Sequence, residues 1–320
     1  MSALPPFAWA TAVEACLVDS RLRWNAPLAQ STTLRIGGLA DCLVDLESEA
    51  ELLALMEVVH QHQLPFYVMG KGSNLLLPDE GLRGVVLRLG KAFRTHQLQP
   101  LPNGSTQVSA GAATANAVLV ESCRKAGLKG LEFMVAIPGN VGGAVAMNAG
   151  AYGTETKDHL QLVRYYHPDR GIVEEAATEF AFAYRHSPLN GQRGRVVLGA
   201  TFLLHPANPA EIGQRIDQWQ AQRKASQPRD FPNCGSVFKN PPGDHAGRLI
   251  EACGLKGYSL GQVQVSEKHA NFIVNRGGGT AVEVQTLVAH IQKVVQQQTG
   301  VQLEPEVQML KPAQFTGGKA

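Results

Sequence analysis

The stretch IPGNVGGAVAMNAGAYG, residues 137–153, decides how the middle of the chain is interpreted. It contains five glycines among alanines and two asparagines. Each glycine in a helix interior costs about 1 kcal/mol relative to alanine, so this composition argues against a packed helix. A backbone with so little side-chain bulk is suited to close approach. The stretch therefore predicts either a loop that holds a ligand or a close contact between two domains.

A second glycine-rich segment, GKGSN at 70–74, follows the predicted strand FYVM at 66–69. Glycines at such a turn let backbone N–H groups face a phosphate, and Ser73 adds a hydroxyl. The segment matches neither G-x-x-x-x-G-K-[ST] nor G-x-G-x-x-G. Alone, it is equally consistent with a tight surface turn. Together, two loops that could each receive a phosphate suggest a dinucleotide.

Composition limits the class of protein. The 320 residues indicate two or three domains at roughly 100–200 residues each. A net charge of +2 and 6% aromatic residues argue against a nucleic-acid partner. No run of about 18 apolar residues predicts membrane insertion, and the first residues do not resemble a signal peptide. Five cysteines without a C-x-x-C pair suit reduced thiols. We therefore expect a cytoplasmic protein. The sequence does not determine the oligomeric state, and a monomer is taken as the default expectation.

The first third of the chain predicts strand, helix, strand, loop and strand. CLVDL at 42–46 and VVLRL at 85–89 are strand-like. Ser48 and Glu51 have the spacing of a capping box, and apolar residues then recur at helical spacing as far as Leu64. This pattern indicates a small α+β unit.

The rest of the chain changes from strand-rich to helix-rich near residue 207. Strands are expected at 107–112, 160–167, 195–204 and 302–310, and a helix capped by Thr114 is expected to run through Cys123. Asn208 and Pro209 open another helix. Thr280 and Glu283 form a capping box for a helix that ends at Gly300, and the last ten residues are expected to be loose.

The segment NCGSVFKNP at 233–241 contains an apparent nucleophile. We expect Cys234 to be a small buried residue instead, because no other residue pattern assigns it a chemical task. The ten histidines have no metal-ligand spacing, so no metal site is predicted. A basic cluster of Arg215, Arg223, Lys224 and Arg229 is either a solvated face or a contact for a diphosphate.

Taken in order, several segments resemble the UDP-N-acetylenolpyruvoylglucosamine reductase family, the flavoenzymes of peptidoglycan precursor synthesis. The resemblance covers about residues 33–307. The segments that carry it are TLRIGG (33–38), GKGSNLL (70–76), IPGNVGGAVAMNAGAYG (137–153), YRHS (184–187), GSVFKNP (235–241), AGRLIEACGLKG (246–257), VSEKHANFIVN (265–275) and LEPEV (303–307). Each alone is weak, but their order and spacing are specific.

The resemblance implies an α+β fold with a two-part FAD-binding module of the vanillyl-alcohol-oxidase type and a C-terminal substrate domain. The expected boundaries are 1–92, 93–206 and 207–320. FAD would be bound non-covalently, NADPH would reduce it, and the substrate would be a UDP-sugar that carries an enolpyruvyl group. Only nine residues separate Arg185 from the strand at 195–204, so the chain resembles the shorter type that lacks an inserted tyrosine loop.

The resemblance also assigns residues. Arg185 would bind the substrate carboxylate, Ser236 would protonate the α carbon, and Glu306 would assist as an acid or by orienting a donor. Substrate contacts would come from Lys239, Asn240 and His269. The cofactor would be held by Gly70, Lys71, Gly72, Ser73, Asn74, Leu75, Ile137, Pro138, Gly139, Val141, Gly142, Gly143, Asn148, Gly150 and Tyr152.

Two departures from the family pattern concern the substrate diphosphate. Ser226 stands where the family pattern R-x-x-K-Q-P has lysine, and His269 stands where other members have glutamine. Two other functions stay open from the sequence: an FAD oxidoreductase that oxidises an alcohol or a sugar, and a flavin or nucleotide sensor without catalysis. Neither would need both Ser236 and Glu306.

Overall fold

The computed structural model describes residues 7–190 and 194–311. Helices and β-sheets alternate along this part of the chain. Its helices are α1 (Ala10–Ala15), α2 (Glu49–Gln61), α3 (Asn116–Lys125), α4 (Val141–Ala146), α5 (Pro209–Ser226), α6 (Ala246–Ala252) and α7 (Ala281–Thr299).

The strands form three main sheets and two short pairs. They are β1 (Arg21–Pro27), β2 (Leu39–Leu46), β3 (Phe66–Val68), β4 (Leu75–Leu76), β5 (Leu82–Leu89), β6 (His96–Pro100), β7 (Thr106–Gly111), β8 (Leu128–Lys129), β9 (Gly150–Ala151), β10 (Thr154–Glu155), β11 (Leu160–His167), β12 (Gly171–Ala176), β13 (Val196–Pro206), β14 (Asn233–Ser236), β15 (Ser259–Leu260), β16 (Val263–Val265), β17 (Phe272–Asn275) and β18 (Gln308–Met309).

The first sheet has the strand order β1-β2-β5-β3, with β2, β5 and β3 parallel. Ser48 caps α2 by accepting a hydrogen bond from the N–H of Glu51, as predicted. The second hydrogen bond that the capping box predicts, from the N–H of Ser48 to the Glu51 side chain, is wrong. The Glu51 carboxylate instead accepts hydrogen bonds from the backbone of Val18, Asp19 and Ser20, which belong to the loop before β1. Glu51 thus has the spacing of a local capping motif but makes a contact with residues that are distant in sequence.

The second sheet is antiparallel, in the order β12-β11-β13-β7-β6 with β8 beside β13. Two predictions made for this part of the chain are wrong. Thr114 does not cap α3; its hydroxyl donates to the carbonyl of Thr95. Residues 141–146 form the short helix α4 despite Gly142 and Gly143. Gly142 fits because a Cβ there would lie 2.8 Å from the Cβ of Ala112 on the neighbouring strand connection.

The third sheet is antiparallel, in the order β14-β17-β16-β15, and packs against α7. The capping box of Thr280 and Glu283 is confirmed, and Gly300 ends α7 with a φ of 73°. The strand predicted at 302–310 shortens to β18, because LEPEV makes only a bridge between Pro305 and Phe238. The predicted loose tail lies outside the described residues, apart from Lys311.

Buried apolar residues form cores beneath the three sheets, and the core of the first sheet also includes Tyr166, Val196 and Leu198 of the second sheet. Two further segments cross between the cores. Leu34 and Ile36, from TLRIGG, belong to the core of the third sheet. Ile212 and Ile216 of α5 belong to the core of the second sheet, so the packing of α5 continues past the predicted boundary at residue 207. The boundaries 1–92, 93–206 and 207–320 stay a prediction.

In residues 7–190 and 194–311, no helix combines the length and apolar character needed to cross a bilayer. All five cysteines are free thiols.

Candidate functional site

The two glycine-rich loops lie side by side. The hydroxyl of Ser73 donates a 2.7 Å hydrogen bond to the carbonyl of Pro138. A Cβ on Gly139, whose φ is 142°, would lie 3.3 Å from Ser73 Oγ, and one on Gly70 would lie 3.9 Å from the Asn140 amide. The loops therefore form one surface, with little side-chain bulk where they meet.

The first loop presents a row of unused donors. Among the described residues, none of the backbone N–H groups of 70–74 donates a hydrogen bond to another protein group. The loop is anchored through its carbonyl oxygens instead: Gly72 accepts from the N–H of Thr33, and Asn74 accepts from the N–H of Gln308. Consecutive free N–H groups in a turn suit an anionic oxygen. This supports the predicted phosphate-binding role of Gly70, Lys71, Gly72, Ser73 and Asn74.

The second loop fits the prediction less uniformly. The N–H of Val141 donates to the carbonyl of Thr114, and that of Gly142 donates to the carbonyl of Ala112, so these two N–H groups are not free to bind a ligand. A Cβ on Gly143 would meet open space. The backbone around Gly139 and Gly143 is therefore the part of this loop that a ligand could approach.

Two asparagines that sequence reasoning missed lie behind this loop. Asn116 is 1% exposed, and its amide donates to the carbonyl of Ile137 at 3.1 Å. The side-chain oxygens of Asn116 and Asn140 are buried without a hydrogen-bond partner within the described part of the chain. An unpaired buried acceptor is unfavourable, which indicates a donor from outside the protein. These acceptors and the free N–H row fit a dinucleotide with phosphate and hydrogen-bond donor groups.

The structure gives Asn148 a different role from the predicted one. Asn148 is fully buried, with a φ of 42°, and its amide donates to Glu155 and to the carbonyl of Ala183. Its oxygen accepts from the N–H of Lys157. All of its polar atoms are used within the protein, so its side chain supports the loop. A direct cofactor contact from this side chain is therefore wrong.

Tyr152 faces α5. Its ring stacks on Trp219 with centroids 4.7 Å apart, and its hydroxyl donates to the Trp219 carbonyl. The residue has a φ of 54° and is 36% exposed. It connects the second glycine-rich loop to α5. Its predicted contact with the cofactor stays a prediction.

The predicted catalytic residues Arg185 and Glu306 are in direct contact. Nε of Arg185 donates to Oε1 of Glu306 at 2.9 Å, and each side chain is 17% exposed. Another guanidinium nitrogen donates to the carbonyl of Gly150 at 2.6 Å. Arg185 has a φ of 52° at the turn between Ala183 and His186, and the ring of Tyr184 lies 4.8 Å below its guanidinium.

Burial raises the pKa of the Glu306 carboxyl above its ordinary value. The charge and the hydrogen bond of Arg185 oppose this shift, as does the charge of Lys239. A carboxyl that keeps its proton to higher pH than usual can donate a hydrogen bond or a proton. Glu306 therefore has the electrostatic setting of an acid that is held beside a fixed cation.

Ser236 ends β14 next to the first loop. Its neighbour Gly235 has a φ of 80°, and a Cβ there would lie 3.9 Å from the carbonyl oxygen of Ser73. Within residues 7–190 and 194–311, the Ser236 hydroxyl has no hydrogen-bond partner. The carbonyl of Val237, one residue on, accepts from the N–H of Glu306 at 2.8 Å. The backbone thus brings Ser236 and Glu306 to one place.

Cys234 is buried, as expected, at 1% exposure. Burial raises its thiol pKa to about 12, so the thiolate is scarce at neutral pH. The residue packs with Val237 and Phe238 in the core of the third sheet.

The three predicted substrate residues occupy different surroundings. The Lys239 ammonium pairs with the Glu304 carboxylate at 2.6 Å. The charge of Lys239 also lowers the pKa of Glu306. The Asn240 oxygen accepts from the N–H of Ala246, at the start of α6. His269 packs edge-on against Phe272, and burial lowers its pKa, which favours the neutral ring. No contact in the described residues joins His269 to Ser236 or Glu306.

The basic cluster divides in two. Arg215 pairs with the buried carboxylate of Glu132 and so has a structural partner. Arg223 is hydrogen-bonded to Gln227, and burial and then the charge of Arg229 lower its pKa. Two like charges held together near Tyr152 are suited to an anion. In the described part of the chain, no group of His, Cys, Asp and Glu side chains is placed to hold a metal ion.

Comparisons with known proteins agree with this geometry. Residues 227–310 match the model of the UDP-N-acetylenolpyruvoylglucosamine reductase C-terminal domain, and residues 40–176 match that of an FAD-binding domain. The UDP-N-acetylenolpyruvoylglucosamine reductase of Rubrobacter xylanophilus is 43% identical over 90% of this chain and 95% of its own length. The protein of the same name from Bacillus velezensis is 41% identical over 89% and 93%, respectively.

A crystal structure of the reductase from Thermus caldophilus superimposes with a TM-score of 0.77 at 36% identity, covering 92% of this chain and 100% of that one. The chain belongs to the UDP-N-acetylenolpyruvoylglucosamine reductase family. The predicted α+β class, with an FAD-binding module and a family-specific C-terminal domain, is confirmed, and the protein is an FAD-containing oxidoreductase.

Proposed function

We propose that this chain reduces the enolpyruvyl double bond of UDP-N-acetylglucosamine enolpyruvate to give UDP-N-acetylmuramate, a peptidoglycan precursor. One observation carries the proposal at the level of the site. The Arg185–Glu306 pair is tied by the N–H of Glu306 to the backbone beside Ser236, and all three lie next to the loop with free N–H groups.

The residues that would hold FAD are those of the two adjoining loops. The N–H groups of 70–74 suit its pyrophosphate, and the unpaired oxygens of Asn116 and Asn140 suit its donor groups. When bound, FAD supplies the hydride that adds to the substrate, and NADPH is the reductant that restores it. The protein's part is to orient the substrate, stabilise charge and provide a proton.

Arg185 is proposed to stabilise charge on the substrate carboxylate. The double bond is conjugated with that carboxylate, so hydride addition at the β carbon moves electron density onto it. A guanidinium that is already fixed at Nε by Glu306 can face this charge without reorganising. Arginine stays protonated throughout, so the stabilisation does not depend on pH in the working range.

Ser236 is proposed as the proton donor to the α carbon. Its hydroxyl has no competing partner in the described residues, so it is available to a substrate. Hydroxyls are weak acids, but a carbanion-like centre provides a large driving force. Glu306 is proposed to assist as an acid or by orienting a donor, since burial raises the pKa of its carboxyl.

Arg223 and Arg229 are proposed to contact the substrate diphosphate. Burial, and then the charge of Arg229, lower the pKa of Arg223, and neither arginine pairs with a carboxylate within residues 7–190 and 194–311. Ser226 cannot replace the lysine usual at its position, because its hydroxyl donates to the Gln222 carbonyl within α5. Lys268 reaches the same end of α5, where its ammonium donates to the carbonyl of Lys224. The diphosphate contact is thus proposed at position 223 instead of position 226.

A cytoplasmic location and a monomeric state are also proposed. The substrate is a soluble nucleotide sugar, which suits the compartment where such sugars are made. Sedimentation velocity at several protein concentrations would test the monomer, since a sedimentation coefficient that rises with concentration would indicate association.

The decisive experiment measures substrate-dependent NADPH oxidation. Purified yellow protein should oxidise NADPH rapidly only when UDP-N-acetylglucosamine enolpyruvate is present, and the product should gain two hydrogens by mass spectrometry. If NADPH oxidation ignores the sugar nucleotide while an alcohol or a sugar reduces the flavin, the protein is an oxidase or dehydrogenase on the same scaffold.

A further inference from the structure

A second carboxylate, Glu155, lies beside the Arg185 guanidinium, at a different nitrogen from the one that Glu306 contacts. Its Oε1 is 3.8 Å from one terminal nitrogen of Arg185, and the two side chains are 19% and 17% exposed. The other two guanidinium nitrogens are held by Glu306 and by the carbonyl of Gly150. Each nitrogen of Arg185 therefore faces a different acceptor, contributed by a different segment of the chain.

The loop around Glu155 is built to hold that carboxylate. Asn148, which is fully buried, donates to Oε2 of Glu155 at 3.0 Å. The N–H of Glu155 donates to Asp158 at 2.8 Å, which fixes its backbone. Gly150 leaves the necessary room, because a Cβ there would lie 3.0 Å from Cγ of Glu155 and 3.1 Å from the Arg185 nitrogen. The carboxylate has little freedom to turn away.

We infer that Glu155 is a positioning residue of the reductive site, which holds Arg185 with its Nε toward Glu306 and offsets part of the guanidinium charge. The inference rests on the proposed function for its catalytic meaning. Its structural content is independent of the substrate, because all three side chains belong to this chain.

The charges around Arg185 and Glu306 determine in which direction Glu155→Gln should shift the pKa of Glu306. Glu306 faces the cations of Arg185 and Lys239, and Lys239 is itself paired with Glu304. Glu155 faces Arg185 and also Lys157, whose ammonium lies 3.5 Å from Oε2. Glu155→Gln removes one negative charge from this group. Arg185 then acts on Glu306 with less compensation, which favours the ionised form of Glu306.

The test is a carboxyl titration in the FAD-loaded protein. Glutamate labelled with carbon-13 at the side-chain carboxyl is followed by NMR, and the Glu306 signal is assigned by its loss in Glu306→Gln. In Glu155→Gln the Glu306 midpoint should fall by about one pH unit, the usual scale of such perturbations. Glu155→Asp, which keeps the charge on a shorter side chain, should lie between this variant and the wild type.

Asp158→Asn is the matched control. It removes a carboxylate from the same turn, next to the same Lys157, but its contacts do not include Arg185, and asparagine still accepts from the N–H of residue 155. Its Glu306 midpoint should match the wild type. A residue that only stabilised the loop would change the melting temperature without moving this midpoint. Equal midpoints in Glu155→Gln and wild type, or equal shifts in Glu155→Gln and Asp158→Asn, would overturn the inference.

Two further measurements keep the result decisive. If Glu155→Gln does not fold, Glu155→Asp alone must lower the midpoint relative to wild type, and an unchanged midpoint contradicts the inference. The pH dependence of flavin reoxidation by the enolpyruvyl substrate should follow the titration, with its high-pH limb moved down. If the enolpyruvyl substrate does not reoxidise the flavin of the wild-type protein, the proposed function is wrong. The role of Glu155 is decided separately, by the NMR midpoint of Glu306.

Discussion

Arg185 and Glu306 are 121 residues apart in the chain, yet Nε of one lies 2.9 Å from Oε1 of the other. Arg185 sits in a tight turn after the second glycine-rich loop, and Glu306 sits in LEPEV, beside β14. The contact therefore joins two segments that are far apart in the sequence. We expect loss of this pair to reduce the catalytic rate more than it reduces the stability of the apolar cores.

We expect FAD to be held without a covalent bond. The two loops contain neither histidine nor cysteine in residues 70–74 and 137–153, so they lack the side chains that usually tether a flavin. Acid precipitation of the purified protein should release the yellow colour into the supernatant. Colour that stays with the washed pellet would contradict this prediction.

Cys234→Ser should keep most of the turnover rate. The thiol is 1% exposed and its pKa is raised to about 12, so it supplies neither a nucleophile nor a proton near neutral pH. The hydroxyl should lower the free energy of unfolding by about 1–3 kcal/mol, because it is buried among apolar side chains. Rates are measured at saturating FAD and below the melting temperature.

Cys123→Ser provides the comparison, since Cys123 is 2% exposed in a different core. Both variants should lose stability and keep activity. A loss of more than about a hundredfold in turnover for Cys234→Ser alone, or ~2.7 kcal/mol of transition-state stabilisation, would make Cys234 a catalytic candidate again.

Glu51 should contribute to stability in a pH-dependent way. Burial raises its pKa, but hydrogen bonds from the Ser20 hydroxyl and the N–H groups of residues 18–20 outweigh this and lower it to about 2. Since the folded pKa lies below the unfolded value, the stabilisation is present above about pH 4.3 and is lost as pH falls toward 2.

Glu51→Gln should therefore lower the free energy of unfolding at pH 7 by about 1–3 kcal/mol, because the three N–H groups lose a charged acceptor. Urea unfolding between pH 7 and pH 3 should show a smaller acid loss for the variant than for wild type. Curves that stay parallel over this range would show that the carboxylate titrates with an ordinary pKa in the folded state.

The sequence-based predictions succeeded where the determining interaction is local. The helix α7 follows from Thr280, Glu283 and Gly300, whose partners all lie within one turn. Such signals fail when a side chain finds a distant partner. Glu51 has the spacing of a capping residue but reaches the loop before β1, and Thr114 bonds to Thr95 instead of capping α3.

The candidate site shows the same division. The glycine-rich loops were visible because glycine composition is itself a signal. Asn116 and Glu155 were not visible in the sequence. Asn116 matters because its side-chain oxygen is buried without a partner in the described residues, and Glu155 matters because it lies beside Arg185, which is distant in sequence. The composition also misled in one case: α4 forms despite the low helix propensity of Gly142, where a Cβ would lie 2.8 Å from the Cβ of Ala112 and so leaves no room for a side chain.

Ser236→Ala should separate the two halves of the reaction. Reduction of the flavin by NADPH needs no proton from Ser236, so its rate should be close to that of the wild type. Transfer to the enolpyruvyl group leaves a carbanion-like centre that must be protonated, and the variant lacks the donor. General-acid contributions are about 10²–10⁴-fold, so we expect a loss of this size in the second half of the reaction.

Stopped-flow absorbance checks this under anaerobic conditions. The flavin of Ser236→Ala should bleach normally with NADPH and regain its colour very slowly when the enolpyruvyl substrate is added. Ser226→Ala is the control, because its hydroxyl donates only to the Gln222 carbonyl on α5, and it should regain colour at the wild-type rate. Colour recovery within tenfold of wild type in Ser236→Ala would assign the proton to Glu306 or water. Failure to bleach would place Ser236 in the flavin site, because the loss would then precede any contact with the substrate.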